Sequence, residues 1–444
     1  MASYGLFFTA EGGILEKRRE FSANRLLEAA QNIFRSAQRK RELEERERTR
    51  LLSLPQKLIE GMTENIVGRE IEARLITIAL ITKEHVAFIG EPGISKSELA
   101  RNAATLINAN VFVTTVTPDT RPEEILGHLD IPSLRRGRYK HITKRRLPEA
   151  EIALLDEVFN ANSLVLKALL TLINERIIDT GYASYPAPLR TLICASNQGP
   201  SDKELMSFYD RILLRYFPDA VPKYLWGDLL RVTWEKEFSR KKKKEPIITI
   251  SDLDKLYGML ESVDVSKVSD RLISLFEVFE RQKLHMVDRR KGKILKIVAA
   301  NALLNGRMEA REEDLMVLSY MSLNSKEAFE YVTKTLAAEL QVPSWYMREI
   351  TNVSKSISFS LLRAGKGLLT PSDVDFLKKD LETAKNRVND MKLKCENEEV
   401  NACARRVINA IEIISSSPDG LTQECINKAS AALTEQNKEH EDVA

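Results

Sequence analysis

The chain is poor in the residues that build metal centres and disulfide frameworks. It has four cysteines, Cys194, Cys395, Cys403 and Cys425, and five histidines among 444 residues. No cysteine forms a C-x-x-C pair or has a histidine at ligand spacing. That excludes a zinc-finger site and a disulfide scaffold, and it fits a reducing compartment. Long apolar runs are missing too. None reaches the about 18 residues that cross a bilayer. The opening MASYGLFFTAEGG has no basic residues ahead of its brief apolar run, so no secretory signal is expected. Nor is there an excess of one charge: 67 Lys and Arg against 64 Asp and Glu leave +3. Nothing in that balance demands a nucleic acid or a membrane surface. No tandem repeat of about 20–50 residues is evident. The expectation is a cytoplasmic protein with no membrane span.

What is present suits a folded, multidomain chain. Apolar residues make up 43% and charged residues 30%, and the length predicts two or three domains. Four parts can be read. Residues 1–60 form an N-terminal extension, helical from about residue 14, with Leu26, Leu27, Ala30, Ile33 and Phe34 at helix spacing. QRKRELEERERTR (38–50) is read as a solvated helix face laced with ion pairs, ahead of a nucleic-acid contact.

Residues 61–220 alternate short apolar runs with helical patterns. HVAFIG (85–90), NVFVTTV (110–116), EIALLD (151–156) and RTLICASN (190–197) are strand candidates. The first, third and fourth are nearly continuous in apolar character, which predicts an α/β domain: a parallel sheet with helices on both faces. Residues 221–340 read as short amphipathic helices, with a linker at SRKKKKEPIITISDLDKL. Residues 341–444 are helical again. Val374, Leu377, Leu381, Ala384, Val388, Met391 and Cys395 form an apolar seam of about three heptads, N-capped by Ser372 or Asp373. An antiparallel hairpin is favoured over an intermolecular coiled coil.

The chemistry starts at FIGEPGISKSELA (88–100). A strand, a glycine-bearing loop, Lys96 and Ser97 open a helix. In such a loop backbone N–H groups converge on a phosphate, the lysine reaches the β- and γ-phosphates, and the hydroxyl holds Mg²⁺. Gly90 and Gly93 permit the close approach, and Ser95 stands where the common pattern has glycine. EIALLDEVFNAN (151–162) is an apolar strand ending in two carboxylates. Asp156 would hold Mg²⁺, and Glu157 would orient or deprotonate the attacking water. Asn197 closes the strand in CASNQ and could bond the γ-phosphate or the water. FYDRILLRYFP (208–218) is read as a short helix carrying Arg211 and Arg215, one of which could reach a neighbouring subunit's nucleotide. VSDRLIS (268–274) offers Arg271 from the second domain.

This order of motifs resembles the AAA+ ATPases, more narrowly the MoxR clade and its RavA-type branch. ENIVGRE (64–70), GEPGISKS, RPEEILGHLD (121–130), LPEAEIALLDEVFNAN (147–162), LLTLINER (169–176), YDRILLR (209–215) and VSDR (268–271) carry it across roughly residues 60–320. Ser95 departs mildly from the clade's loop, where a small residue also replaces the glycine. The resemblance implies an AAA+ P-loop core plus an α-helical lid, ATP and Mg²⁺ as cofactors, and a hexamer with ATP between subunits. It places Val67, Gly90, Gly93, Ile94, Ser95, Lys96, Ser97 and Arg271 around the nucleotide, with Ser97 and Asp156 on Mg²⁺. Asn197 would be the first sensor and Arg271 the second, and Arg211, ahead of Arg215, would be the arginine finger. Pore-facing hairpins are implied within 130–147 and at IIDTGYASYPAPLR. The implied activity is chaperone-like remodelling of protein clients, with a von Willebrand factor A domain protein as partner. Two other functions stand beside it. One is a nucleic-acid motor using the basic RRGRYKHITKRR (135–146). The other is a nucleotide-gated assembly protein with slow turnover. No small β domain of the RavA type is visible in the tail.

Overall fold

The computed structural model describes residues 38, 41–91, 96–137, 140–179, 184–201, 203–238, 244–284, 286–321, 325–416 and 421–434. The chain divides into two compact units, residues 1–54 and 55–444. In the first, residues 41–54 are helical, and nearly all of 41–50 is exposed. Arg50 pairs with Glu47 one turn away at 3.3 Å, which agrees with a solvated, ion-paired face. The Leu26 to Phe34 pattern lies outside the described residues.

The second unit begins with helical residues 55–63 (α1), followed by α2 (Glu70–Thr82), β1 (Val86–Ile89), α3 (Lys96–Ile107) and β2 (Val111–Thr115). After β2 come α4 (Pro122–Leu126), β3 (His128–Leu129), α5 (Ile131–Leu134), β4 (His141–Ile142), β5 (Ile152–Asp156) and α6 (Ser163–Glu175). The run closes with β6 (Ile177–Asp179), β7 (Ser184–Pro186), β8 (Thr191–Ser196), α7 (Lys203–Tyr209) and β9 (Leu214–Tyr216).

Five strands form one parallel sheet in the order β2-β5-β8-β1-β9. Every residue of β1 and β8 is buried, as is β5 up to Asp156. On one face Ala87, Ala153, Leu155, Leu192 and Cys194 pack with Leu166, Leu169 and Leu172 of α6. The alternate residues Val86, Phe88, Leu154 and Ile193 are equally buried, because α2 and α3 cover the sheet as well. β2, at the edge, is only partly buried, which explains its weaker apolar pattern.

One element corrects the sequence reading. LRY (214–216) is the fifth strand, paired in parallel with β1, and not part of a helix. A short buried strand and a buried helical turn have the same apolar signature, so periodicity does not separate them. Antiparallel pairs occur at both expected hairpins, but the first begins earlier than read: β3, at 128–129 and so ahead of 130–147, pairs with β4, and β6 pairs with β7.

Helices make up the rest. α8 (Trp226–Phe238) and α9 (Ile250–Met259) follow the sheet. Thr249 and Asp252 cap α9 reciprocally. Arg190, just before β8, ties α9 to the sheet through Asp254 (2.8 Å) and the Leu253 carbonyl (2.8 Å). Then come α10 (Ser266–Arg281), α11 (Asp288–Lys291), α12 (Ile294–Leu304), a 3-10 stretch (Glu312–Tyr320) and α13 (Lys326–Leu340).

The tail is α14 (Pro343–Gly365), α15 (Pro371–Lys394), α16 (Glu398–Ser415) and α17 (Gln423–Thr434). Its seam residues Leu381, Val388, Met391 and Cys395 are buried against Val400, Cys403, Val407 and Ile411 of α16. The seam therefore closes within the chain. The N-cap of α15 is Thr370, with Pro371 at the first helical position and Asp373 completing a capping box. The Ser372 or Asp373 assignment is thus shifted, because proline fits where its missing N–H is not needed. No helix of the described residues is long and apolar enough to cross a membrane.

Candidate active site at the strand ends

In a parallel sheet the carboxyl ends of the strands share one edge, and ligands bind there. Here β5, β8 and β1 are neighbours. Their ends deliver Asp156 and Glu157, Ser196 and Asn197, and Gly90 to one place. Gly90 N–H donates to the Ser196 carbonyl at 3.0 Å. A Cβ on Gly90 would stand 2.9 Å from the Pro218 carbonyl oxygen, so a close backbone approach explains this glycine.

Lys96 is the first residue of α3, and only 7% of it is exposed. Its Nζ donates to the Gly90 carbonyl at 3.2 Å. Burial lowers its pKa, the charges of Asp156 and Glu157 push it back up, and Arg69 lowers it further. Ser97 follows, half-buried, on the same helix end. Gly93, Ile94 and Ser95 lie outside the described residues.

Glu157 has left-handed backbone angles, φ 54° and ψ 36°, an uncommon state for a residue with a side chain and one concentrated at functional sites. Its N–H donates to Asp156 Oδ1 at 3.1 Å. Its Oε2 stands 3.5 Å from both Ser196 Oγ and the Asn197 N–H. Asn197 itself is exposed. Val67 is half-buried, and the following Gly68, at φ +70°, looks toward Leu225 and Val221. The set suits a magnesium nucleotide. A desolvated ammonium on the first residue of a helix suits an anion, and one hydroxyl plus one carboxylate is the small protein share that Mg²⁺ takes at phosphate sites.

The arginines differ from the expectation. Arg211 follows α7 in a turn, half-buried, with its Nη1 donating to Ser207 Oγ at 2.8 Å. Arg215 lies on β9 and is 1% exposed. It donates to the Tyr209 carbonyl at 2.6 Å and lies 3.5 Å from the Tyr209 ring centre. Its side chain is an internal brace. Arg271 on α10 donates to the Glu339 carbonyl and pairs with the Glu339 carboxylate at 3.6 Å, so it points within the helical region.

Arg290 of α11 is the arginine of that region which reaches the sheet unit's Asp210, at 3.3 Å, while donating to the Met321 carbonyl at 2.8 Å. The reading above passed over it. The signal was a second V-D-R stretch, VDRR at 287–290, besides VSDR at 268–271.

Comparisons with known proteins bear on the family and the fold. Residues 53–258 match the family described as the MoxR domain in MoxR-vWA-beta-propeller ternary systems, and 265–336 match an AAA lid domain. An uncharacterized protein of Methanocaldococcus jannaschii is 37% identical over 279 residues, 63% of this chain and 74% of that protein. The chaperone MoxR1 of Mycobacterium tuberculosis is 30% identical over 139 residues, 31% of this chain and 36% of that one. A crystal structure of a protein assigned as an ATPase from Cytophaga hutchinsonii superposes with a TM-score of 0.56 at 17% identity. It covers 68% of this chain and 98% of its own, and it supports the fold.

Proposed function

The chain belongs to the MoxR-type AAA+ ATPases, and we propose that it hydrolyses ATP in a hexameric ring that remodels protein partners. The observation that carries this reading is the meeting of Lys96, Asp156, Glu157 and Ser196 at the ends of three adjacent parallel strands. In the proposed mechanism Lys96 would hold the β- and γ-phosphates, and Ser97 and Asp156 would hold Mg²⁺. The metal, when bound, neutralises charge on the phosphate oxygens. Glu157 orients and deprotonates the attacking water, with its carboxylate beside Ser196 and Asn197 at the end of β8. Asn197 bonds the γ-phosphate or that water. Val67 borders the nucleotide.

Arg211, exposed enough to be approached, is the proposed finger toward a neighbouring subunit, and its worth in related phosphoryl transfers is ~10³–10⁵ in rate. Arg215 is set aside because it is spent inside its own subunit. Arg290 takes the lid role first given to Arg271, since it contacts Asp210, next to Arg211. The description of the matched family supports a von Willebrand factor A domain protein, and a β-propeller protein, among the partners.

A second reading, a nucleic-acid motor, has one observation in its favour. Arg135, Arg136, Lys140, Lys144 and Arg145 are exposed on and around the β3–β4 hairpin. ATP turnover measured alone and with single-stranded or duplex DNA at two salt concentrations separates the two. Turnover indifferent to DNA supports the protein remodeller. Stimulation by DNA that fades with salt supports the motor.

A further inference from the structure

A cavity of about 470 Å³ lies among α2, the lid elements α12, Glu312–Tyr320 and α13, and the start of α14. None of Val67, Gly90, Lys96, Asp156 or Glu157 lines it. It is of a size that takes a small organic ligand.

Its charges do not balance. Arg74, Arg307 and Arg348 line it against Glu313 and Asp314. Arg307 takes both carboxylates, with Asp314 at 2.8 and 3.0 Å and Glu313 at 3.1 Å. Asp314 also accepts from Asn301 and Asn305. These two amides are thereby oriented with their oxygens outward, and both oxygens accept from Arg74 Nη2 at 2.8 Å. Arg74 therefore rests on neutral acceptors through one nitrogen. Among the described residues neither Arg74 nor Arg348 has a carboxylate within ion-pair distance, and Tyr320 Oη has no hydrogen-bond partner. Burial lowers the Arg74 pKa, with Arg348 and Arg307 pushing the same way against Tyr320 and Asp314. A guanidinium desolvated beside two others is stabilised by an anion. Ile71, Leu75, Ile78, Val342 and the half-buried Trp345 give the cavity an apolar and aromatic side, and the hydroxyl residues Ser319, Thr333 and Ser344 also line it.

The geometry points to a second ligand site, for a small organic anion. Its phosphate or carboxylate head lies between Arg74 and Arg348 with Tyr320 Oη donating, and its apolar or aromatic body lies against Leu75 and Trp345. The site bridges the core (Arg74), the lid (Tyr320) and the tail (Arg348), so a bound anion ties the three together. It does not depend on the ATP reading.

The test uses the full chain with Trp226 and Trp234, both exposed on α8, replaced by Phe, and with Lys96→Ala to silence the phosphate loop. Trp345 fluorescence is titrated with phenyl phosphate and with benzoate at matched ionic strength, and phenol serves as the uncharged control. The expected result is a saturable change with at least one anion and none with phenol; the tighter anion identifies the head group. Arg348→Gln, at an exposed position with no ion pair to lose among the described residues, weakens that binding by about ten-fold or more, the loss of one charge-assisted contact. Arg74→Gln does the same, and Arg74→Lys retains part of it. No saturable change with either anion, or equal affinity in Arg348→Gln, overturns the proposal.

Discussion

Arg290 of the lid and Asp210 of the core, 80 residues apart, meet at 3.3 Å. Arg290 is 3% exposed, and burial lowers its pKa against the pull of Asp210. Arg290→Ala leaves the Met321 carbonyl without its donor and cuts a tie between lid and core. Urea unfolding should show a loss of about 1–3 kcal/mol, and ATP turnover should fall because Arg211 is the next residue along the chain from Asp210.

Arg211 and Arg215 should separate cleanly. Arg215→Ala removes a buried side chain that bonds the Tyr209 and Ile212 carbonyls and stacks on the Tyr209 ring. It should lower stability by about 2–4 kcal/mol, as buried network losses do. Arg211→Ala should change stability by less than about 1 kcal/mol while abolishing most hydrolysis and leaving nucleotide binding intact. Thermal unfolding beside steady-state turnover reads both.

These two residues also show where the sequence was legible. The apolar runs of β1, β5 and β8, the carboxylate pair and the Lys-Ser helix start are strong local signals, and each lies where its pattern placed it. The failures concern long-range geometry. Nothing local in ILLRY says whether it runs as strand or helix until β1 offers it a ladder. Likewise VSDR and VDRR look alike in sequence, and only the packing of α11 turns the second toward Asp210. Thr370 as the cap of α15 could have been read from T-P-x-D, where proline takes the first helical position.

Gly90→Ala should be costly. The added Cβ would lie 2.9 Å from the Pro218 carbonyl oxygen, a rigid backbone atom. Overpacking of this kind costs about 1–3 kcal/mol, and the displaced loop should weaken nucleotide binding, measured by calorimetric titration.

His85 predicts a pH dependence. Its Nδ1 accepts from the Leu192 N–H at 3.1 Å, so Nε2 carries the proton and donates to the Ile173 carbonyl at 3.3 Å. Burial, with the charge of Arg176, lowers its pKa to about 3. The unfolded imidazole takes up a proton below about pH 6.5, and the folded one does not until about pH 3. This contribution to stability is present above pH 6.5 and is lost as the pH falls toward 3, by up to about 1.4 kcal/mol per pH unit. The His85 ring signals in NMR should not titrate between pH 5 and 8.

The central claim rests on Glu157, and Glu157→Gln tests it most directly, because the amide keeps the shape and loses the base. ATP binding and turnover are measured on the purified variant beside the wild type. The wild type should hydrolyse ATP, and the variant should bind ATP with similar affinity but turn it over at least about 100-fold more slowly, the scale of a lost general base. Turnover at the wild-type rate in Glu157→Gln would contradict it.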